Sequence, residues 1–591
     1  MLAYRTPGVY FEWLDTHVPA LKPLRTDIAG FIGIAASGPL HTPIRIGSMT
    51  QFTSIFGQHT AQGYLAYAVE GFFANGGRTC WVVRVADPLK AASASFDLLD
   101  EQEQPTLRLT AITRIVTEDG TNCVYPSPGV WAHQLTFSLT LTARDRFTLT
   151  LRLGSASEIW RDLSMDVADE RYVVRMLNGG ARADGLAPPC QFRPVGETTG
   201  SRLVWAEPLL AASPQPFNTP DPRAANLRGG LGRLQHGKDG LATLSLAHVR
   251  GEGAPPNVTW GLSALEEIDE VSIVAMPDIM PKRHIGPPVI KEPPLDCSNL
   301  DAEAPPPPLP DETVEFAEDF DDAQLGILQT SLVSHCARLR DRFAILDSRP
   351  QDLTPELALA WRREKLVGEQ MKYAAFYFPW LLVPDPLQLE GLLLRAVPPS
   401  GHLAGIYARG DLRVGVHKPP ANQEIVGAKD VSVPVSEVEH GELNERGINA
   451  LREYRGRGLR VGGARTLSDE TLWRYINVRR LLTMIEEAID EQTQWTVFEP
   501  NNPDLWREVD RAARTFLRDL WRRGMLDGAT AEDAFFVRCD ETTNPPSETD
   551  AGRMTCEIGV LPPWPAEFVV IRIGLTEGGT EIAELAGGLN E

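Results

Sequence analysis

The 591-residue sequence has no long run of apolar residues. A membrane-spanning helix needs about 20 consecutive, mostly apolar residues, and the sequence has no such window. The N-terminus, MLAYRTPGVYFEWLD, also lacks the basic, apolar and small-residue regions of a secretory signal peptide. We therefore expect a chain that is made in the cytoplasm and is not inserted directly into a membrane.

Basic residues are too few to favour a nucleic-acid partner. The chain has 57 Lys and Arg against 79 Asp and Glu, a formal net charge of -22. Because phosphate binding requires a positively charged surface, this charge argues against nucleic acid and anionic membranes as partners. The acidic charge is concentrated between Asp296 and Asp322, where ten acidic residues and four consecutive prolines but no Lys or Arg occur. This composition is typical of a solvated, extended loop.

Metal-binding and catalytic motifs are also missing. The seven cysteines are scattered and include no C-x-x-C pair, which argues against a disulfide framework and against a zinc site. The eleven histidines include no H-E-x-x-H motif, and no G-x-S-x-G motif occurs. We predict no metal, no cofactor and no catalytic residues. A triad assembled from residues distant in sequence remains an open alternative.

One stretch comes close to a ligand-binding motif. The segment from Gly232 to Asp239, GRLQHGKD, has the glycine and lysine spacing of a phosphate-binding loop. However, Asp239 replaces the Ser or Thr that would bind magnesium, and no apolar strand precedes the segment. The glycine-containing turns at 75–77 and 398–401 are more typical of structural turns than of ligand sites. We interpret all three as structural.

The apolar pattern predicts several domains, since a domain holds about 100 to 200 residues. Strands and helices alternate around 28–85 and again from 271, as in a mostly parallel α/β sheet. Strict alternation in LTFSLTL (135–141) and FTLTLRL (147–153) predicts a hairpin around residues 144–145. The predicted segments are an N-terminal arm at 1–26, the first part of an α/β core at 27–89, an inserted, mostly β outer domain at 90–250, the second part of the core at 251–430 with a proline-rich acidic loop at 286–322, and an α+β domain with a C-terminal arm at 431–591.

The predicted helix from Asp504 to Gly524 has two different faces. At about 100° per residue, five arginines lie within an arc of about 80°: Arg507, Arg511, Arg514, Arg518 and Arg522. The opposite side is apolar: Trp506, Val509, Ala513, Phe516, Leu517 and Leu520. The arginines either bind an acidic partner or pair locally with Glu508, Asp510 and Asp519. Exposed pairs of the second kind contribute only about 0.3 to 0.5 kcal/mol each.

Several sequence blocks, in one order and spacing, resemble contractile phage tail sheath proteins, including those of phage tail-like and extracellular injection particles. The resemblance covers about residues 1–88 and 262–574. The blocks are TPGVYFEW (6–13), IAGFIGIAASGPLHTPIRI (28–46), FTSIFG (52–57), GFFANGGRTCWVVRV (71–85), PPSGHLAGIYARGDLRVGVHKPPANQEIVGA (398–428), LNERGINALR (443–452), GARTL (463–467), FEPNNPDLWREV (498–509), FLRDLWRRGMLDG (516–528), AFFVRCDETTN (534–544) and PAEFVVIRI (565–573).

The resemblance implies a structural protein with a subtilisin-like α/β core, rather than an enzyme. Its partners would be further copies of itself, an inner tube protein, and baseplate and terminator or cap proteins. Subunits would assemble in the bacterial cytoplasm into a phage tail or a tail-like particle, which can be released. In such sheaths, terminal strands pair with a neighbour's sheet, and the candidates here are Val9, Tyr10, Phe11, Phe568, Val569, Val570, Ile571 and Ile573. The arginines of the helix would face the tube.

Two alternatives remain at this point. The chain could be another part of the same machine, such as a terminator or a sheath paralogue near the baseplate. It could also be a hydrolase on a subtilisin-like scaffold, although the sequence has no Gly-Thr-Ser nucleophile context.

Overall fold

The computed structural model describes residues 21–116, 122–179, 200–209, 219–227, 230–280, 315–388 and 391–567, and the backbone of 571–576 and 579–584. The chain divides into two compact units, a larger one formed by 26–413 and 420–476 and a smaller one formed by the remaining residues. The chain therefore passes between the units at four places. Within the described ranges, no helix has the length and hydropathy needed to span a bilayer.

The strands described by the structure are, in chain order, β1 (Ala29–Gly33), β2 (Ile44–Ile46), β3 (Cys80–Arg84), β4 (Ser95–Leu99), β5 (Pro105–Val116), β6 (Asn122–Pro126), β7 (Thr136–Ala143), β8 (Arg146–Leu153), β9 (Ala156–Ser164), β10 (Val204–Pro208), β11 (Leu231–Arg233), β12 (Ile273–Ala275), β13 (Phe343–Asp347), β14 (Ala374–Phe378), β15 (Leu381–Pro384), β16 (Leu394–Val397), β17 (Asp430–Val431), β18 (Ile448–Tyr454), β19 (Gly458–Val461), β20 (Phe535–Arg538), β21 (Glu557–Val560), β22 (Ile571–Thr576) and β23 (Gly579–Glu584).

The α-helices are, in chain order, α1 (Met49–Phe56), α2 (Leu65–Ala74), α3 (Val173–Asn178), α4 (Leu246–Arg250), α5 (Asp322–Leu339), α6 (Pro355–Lys365), α7 (Ser400–Arg413), α8 (Glu437–Glu445), α9 (Ile476–Gln492), α10 (Pro503–Arg522), α11 (Ala531–Ala534) and α12 (Pro546–Thr549).

An eight-stranded sheet forms the centre of the larger unit, in the order β19-β18-β14-β13-β12-β1-β3-β2. The six inner strands are parallel to their neighbours, and the two edge strands are antiparallel. The inner strands β1, β13 and β14 are buried along their whole length, as expected where helices cover both faces of a parallel sheet. The predicted mostly parallel α/β sheet is therefore confirmed.

Helices α2 and α7 approach each other closely because glycines lie where they meet. A Cβ added to Gly71 would come within 2.4 Å of the His402 ring, and one added to Gly401 would come within 2.3 Å of the Ala68 backbone. Side chains larger than hydrogen would force the helices apart. This contact fixes α7 beside α2 in the core of the larger unit.

Residues 94–234 form a second apolar core within the larger unit. Two four-stranded antiparallel sheets surround it, one with β10-β5-β4 and β6, the other with β11-β7-β8-β9. The predicted hairpin is present: β7 and β8 pair with Leu139 opposite Leu149. Alternate side chains such as Phe137 and Leu139 are buried, as the period of two predicted.

The smaller unit is built around α9 and α10. Its apolar core includes Leu481 and Leu517 from these helices, and also Leu21 and Val416 from distant parts of the chain. Residues 414–419 are thus a short excursion from the larger unit into the smaller one.

The predicted boundary at residue 431 is wrong. Strands β18 and β19 join the eight-stranded sheet through β14, so the residues up to Ile476 belong to the larger unit. The mistake arises because a strand's partner in a parallel sheet is set by long-range pairing, which local periodicity does not reveal.

The predicted extent of the acidic loop also needs correction. Ala317 and Phe320 are buried in the main core, and Asp321 is the N-cap of α5. Residues 317–322 are therefore part of the folded larger unit and not of a solvated loop. Residues 281–314 lie outside the described residues.

Candidate assembly surfaces

Helix α10 of the smaller unit is amphipathic, as predicted. Its N-cap Asn502 accepts hydrogen bonds from the backbone N–H groups of Asp504 (2.9 Å) and Leu505 (3.1 Å), and Pro503 occupies the first turn, where a missing N–H costs nothing. One side packs into the unit through buried residues: Leu505, Trp506, Val509, Ala513, Phe516, Leu517 and Leu520.

The opposite side of α10 exposes all five predicted arginines, Arg507, Arg511, Arg514, Arg518 and Arg522. We call these residues the arginine face. Local pairing accounts for two of them. Arg507 pairs with Asp504, and Arg514 binds Asp510 at 2.7 Å and the carbonyl oxygen of Val537.

The guanidinium groups of the other three arginines have no hydrogen-bond or ion-pair partner among the described residues. They are Arg511, Arg518 and Arg522. The predicted acceptor Asp519 pairs instead with Arg523, at 2.8 Å. Three exposed, unpaired guanidinium groups on one side of a helix, within a chain of net charge -22, form a local basic surface that is available to an acidic partner.

A two-stranded antiparallel ribbon, β20 and β21, lies in the same unit. Val537 is opposite Ile558, and Phe535 and Val537 are buried in the core of the unit. In the described part of the chain neither strand pairs with a third strand, although Arg514 donates to the carbonyl oxygen of Val537 on β20. Such edges can accept a strand from another chain.

The candidate inter-subunit strands are only partly described. Val9, Tyr10, Phe11, Phe568, Val569 and Val570 lie outside the described residues. Ile571 and Ile573 lie in β22, which pairs with β23 in a hairpin that places Ile573 opposite Ile582. The described part of the candidate segment 568–573 therefore lies in a strand, and this strand is part of a hairpin.

The loop before α10 contains an exposed aromatic residue that the sequence pattern does not single out. The side chain of Phe498 is fully exposed, and its backbone has a φ of 70°. This left-handed region is unfavourable for residues with a Cβ by roughly 1–2 kcal/mol. Neither the backbone angle nor the exposure of Phe498 can be predicted from the residues next to it in the sequence.

The stretch that resembles a phosphate-binding loop has a structural role. No helix begins directly after Lys238, which is exposed, and Asp239 is buried 3.9 Å from the fully buried Arg84. Burial raises the pKa of Asp239, while Arg84 opposes that effect. Asp239 also accepts a hydrogen bond from the N–H of Val130 at 3.1 Å. The motif therefore links the second apolar core to the main one.

A buried acid, a serine and a histidine lie near the start of α7. The backbone N–H of Ser400 donates to Asp347 at 2.8 Å, and burial raises the pKa of Asp347 to about 7. Burial lowers the pKa of His402 to about 4. No hydrogen bond joins Ser400 to His402 within the described ranges, and both residues are buried. The arrangement is that of a helix N-terminus held by a carboxylate, not of a nucleophile activated by a base.

Two family models match adjacent parts of the chain. The central domain of phage tail sheath proteins matches residues 315–467, and the phage tail sheath C-terminal domain matches residues 468–576. Residues 315–576 of this chain are therefore similar to the central and C-terminal domains of phage tail sheath proteins. The second match contains α10 with its arginine face and the β20–β21 ribbon. Both candidate surfaces thus lie in the region that matches the tail sheath C-terminal domain.

Curated tail sheath proteins share moderate identity with this chain. A prophage major tail sheath protein of Pseudomonas aeruginosa is 28% identical over 199 residues, 32% of this chain and 50% of the relative. The tail sheath protein of Burkholderia phage BcepMu is 30% identical over 191 residues, 31% of this chain and 39% of the relative. The matched regions thus span half or less of the length of these relatives.

Solved structures of injection particles share the fold over nearly the whole chain. The contracted baseplate of the anti-feeding prophage has a chain with TM-score 0.53 and 18% identity, covering 98% of this chain and all of that chain. The contracted helical sheath of the same particle gives a TM-score of 0.50 at 22% identity, covering 97% of this chain and all of that one. At these identities the likeness concerns the mixed α/β multidomain fold alone.

Proposed function

We propose that this chain belongs to the phage tail sheath family and is the structural subunit of a contractile sheath. Its copies polymerise helically around an inner tube, and the polymer shortens to drive the tube through a target envelope. The observation on which the proposal mainly rests is the pair of adjacent tail sheath domains across residues 315–576. The chain assembles in the bacterial cytoplasm as part of a phage tail or a phage tail-like particle that can be released. Its other partners are baseplate and terminator or cap proteins.

The terminal arms tether neighbouring subunits. Residues 9–11 and 568–573 add strands to the sheet of another copy, and the edges of the β20–β21 ribbon, which have no third strand in the described part of the chain, are the acceptors that we propose. Main-chain hydrogen bonds, each worth about 0.5 to 1.5 kcal/mol net, tolerate rigid-body rotation of the domains they join. A lattice linked in this way stays connected while its subunits move.

The arginine face binds the inner tube in the extended state. The three arginines without partners, Arg511, Arg518 and Arg522, support this contact, because they are not satisfied within the described part of their own chain. A polar, salt-sensitive contact also suits a surface that must separate when the sheath contracts.

For the fold, the finer interpretation is a subtilisin-like α/β core with an inserted outer domain. The mostly parallel eight-stranded sheet supports the first part. The separate apolar core of residues 94–234 supports the second. The fold alone implies no hydrolase chemistry.

Electron microscopy of the purified chain, alone and with its tube protein, tests the proposal. Long, ribbed tubes are the expected result for a polymerising sheath. Short, closed rings would identify a terminator, and monomers with hydrolytic activity would identify an enzyme. Either of these outcomes would overturn the proposal.

A further inference from the structure

Two cysteines that are 17 positions apart in the sequence lie side by side in the smaller unit. Strand β20 ends at Arg538, opposite Glu557 at the start of β21. Cys539 and Cys556 are the next residues outward on the two strands, so continuation of the antiparallel register places them opposite each other. They belong to one apolar cluster, in which Cys539 is buried and Cys556 is packed against it with partial exposure.

A side chain from the connecting loop holds the two cysteine positions together. The Asn544 side-chain amide donates to the carbonyl oxygen of Thr555 at 3.0 Å and lies 3.9 Å from the sulfur of Cys539. Its carbonyl oxygen accepts from the Thr555 N–H at 2.6 Å. Asn544 thus fixes the residue next to Cys556 while it touches the sulfur of Cys539.

The two thiols also interact directly. A hydrogen bond from the Cys556 thiol lowers the pKa of Cys539, and the same bond raises the pKa of Cys556. A thiol pair that shares a proton in this way forms one thiolate more readily than an isolated buried thiol. By contrast, Cys80 and Cys336 are fully buried and their thiol pKa values are raised by burial.

We propose that Cys539 and Cys556 form an oxidisable dithiol, which closes to a disulfide when a small-molecule disulfide is available. The thiolate of one cysteine attacks a sulfur of the oxidant R–S–S–R and releases one R–S⁻. The second cysteine then attacks the mixed disulfide and releases the other. The Sγ–Sγ bond replaces the S–S bond of the oxidant, whose two halves take the two electrons and two protons and leave as R–SH.

The bond has a direct structural consequence. It joins β20 to β21 at the point where the loop 540–555 leaves the ribbon, and so closes this loop covalently. A reducing cytoplasm keeps the pair open, and an oxidising medium closes it. The smaller unit is therefore more stable after the protein leaves the cytoplasm.

The test uses the full-length chain with Cys190 and Cys297 replaced by serine, since these two lie outside the described residues. The folded protein is treated with oxidised glutathione, its free thiols are alkylated, and it is digested for mass spectrometry. We expect one cross-linked peptide pair, joining Cys539 to Cys556, and alkylation of Cys80, Cys123 and Cys336 only after unfolding. The unfolding transition of the smaller unit should move to a higher denaturant concentration on oxidation.

Two serine variants complete the test. Cys539→Ser should abolish both the cross-link and the oxidation-dependent shift, while Cys336→Ser, the matched buried control, should retain both. If a variant does not fold, the unfolding transitions of the oxidised and reduced parent protein are compared instead. A glutathione adduct at Cys556 without a cross-link, a cross-link that forms only after unfolding, or identical transitions for the two forms would overturn the proposal.

Discussion

Asp347, at the end of β13, is a carboxyl group enclosed in the core of the larger unit. It is 2% exposed, and its nearest polar partner is the backbone N–H of Ser400 at the start of α7. Burial raises its pKa from 3.8 to about 7. Its protonation is therefore coupled to folding.

The sign of this coupling can be tested. Because the pKa of Asp347 is higher in the folded state, the unfolded chain releases the proton first as the pH rises. The contribution of Asp347 to stability is therefore greatest below about pH 4, falls between pH 4 and 7, and levels off above pH 7. At about 1.4 kcal/mol per pKa unit, the loss attributable to this group is up to about 4 kcal/mol.

Asp347→Asn should flatten this part of the pH profile, because the amide oxygen still accepts from Ser400 but the group no longer titrates. Denaturant unfolding of the larger unit at several pH values between 4 and 8 measures the effect. Asp550→Asn, a change at an exposed carboxylate, is the control. A pH profile of Asp347→Asn identical to the parent's would contradict the prediction.

Phe498, unlike the buried Asp347, is exposed to solvent, and its backbone lies in the left-handed region of φ and ψ. Phe498→Asn should raise the free energy of unfolding of the smaller unit by about 1 kcal/mol, because asparagine tolerates positive φ and no packing is lost. Denaturant unfolding is the measurement. Phe516→Ala, which removes a buried aromatic side chain of the same unit, is the contrasting variant and should cost about 3–5 kcal/mol. A lower stability for Phe498→Asn would mean that Phe498 packs in solution.

Neither of these residues can be assigned its role from sequence. The burial of Asp347 depends on α7, whose first residue is 53 positions away. The exposure of Phe498 depends on how its loop leaves α9. Asn502, by contrast, follows a local rule for helix starts: a capping residue comes directly before a proline and an apolar periodic segment.

At the level of elements, the helix α10 offers a test of the arginine face. The triple variant Arg511→Glu, Arg518→Glu and Arg522→Glu removes only unpaired charges, so the apolar side and the fold should be retained. Under the proposed function, it should sharply reduce co-assembly of extended sheath with the cognate tube protein, because like charges would meet at the interface. Rising salt should weaken the parent's contact as well, since charges are screened beyond about 8–10 Å at physiological ionic strength.

The matched control is the triple variant Arg161→Glu, Arg202→Glu and Arg233→Glu. It makes the same change of net charge at exposed arginines of the larger unit. Normal tube-filled particles from the α10 variant would show that its arginines are only solvated. Equal defects in both variants would indicate a general effect of charge.

Elements with a clear period were predictable, and elements defined by distant partners were not. Helix α10 and the β7–β8 hairpin follow from apolar positions repeating at 3.6 and 2.0 residues. Strands β18 and β19 were assigned to the wrong unit because β18 pairs with the distant strand β14, with Ile448 opposite Phe376. The contact between Cys539 and Cys556 depends on the register of β20 against β21, so their spacing in sequence gave no motif.

At the scale of the whole molecule, the acidic segment can be shortened without harm. Excision of residues 296–312 behind a short glycine-serine linker should leave the fold and assembly unchanged, because loop-closure cost changes slowly with length. An excision that continues to residue 322 should destabilise the larger unit, since it removes the buried Phe320 and the N-cap Asp321. Denaturant unfolding compares the stability of the two excision variants, and negative-stain microscopy compares their assembly. Lost assembly from the shorter excision, with the fold intact, would make this segment an interface.

The N-terminal arm allows a further prediction. Deletion of residues 1–12 should leave a folded chain, because Leu21 still packs in the smaller unit and Lys22 keeps its paired contacts with Gln492, at 2.6 and 2.7 Å. Under the proposed function, this chain should not form a contractile lattice. Circular dichroism reports the fold and electron microscopy the lattice. Sheaths that still form and contract would exclude a tethering role for the arm.

The excursion at 414–419 limits how this protein can recombine with its relatives. Val416 belongs to the core around Leu481 and Leu517, and Asn477 donates to the carbonyl oxygen of His417 at 2.9 Å. A gene exchange that joins a foreign C-terminal domain at residue 468 transfers neither Val416 nor Leu21. The hybrid would then contain a core drawn from two lineages, with a void or a clash wherever their side chains differ in size. Viable natural hybrids should therefore exchange the C-terminal domain together with residues near 21 and 414–419, and these three separated stretches of the chain should be inherited as one.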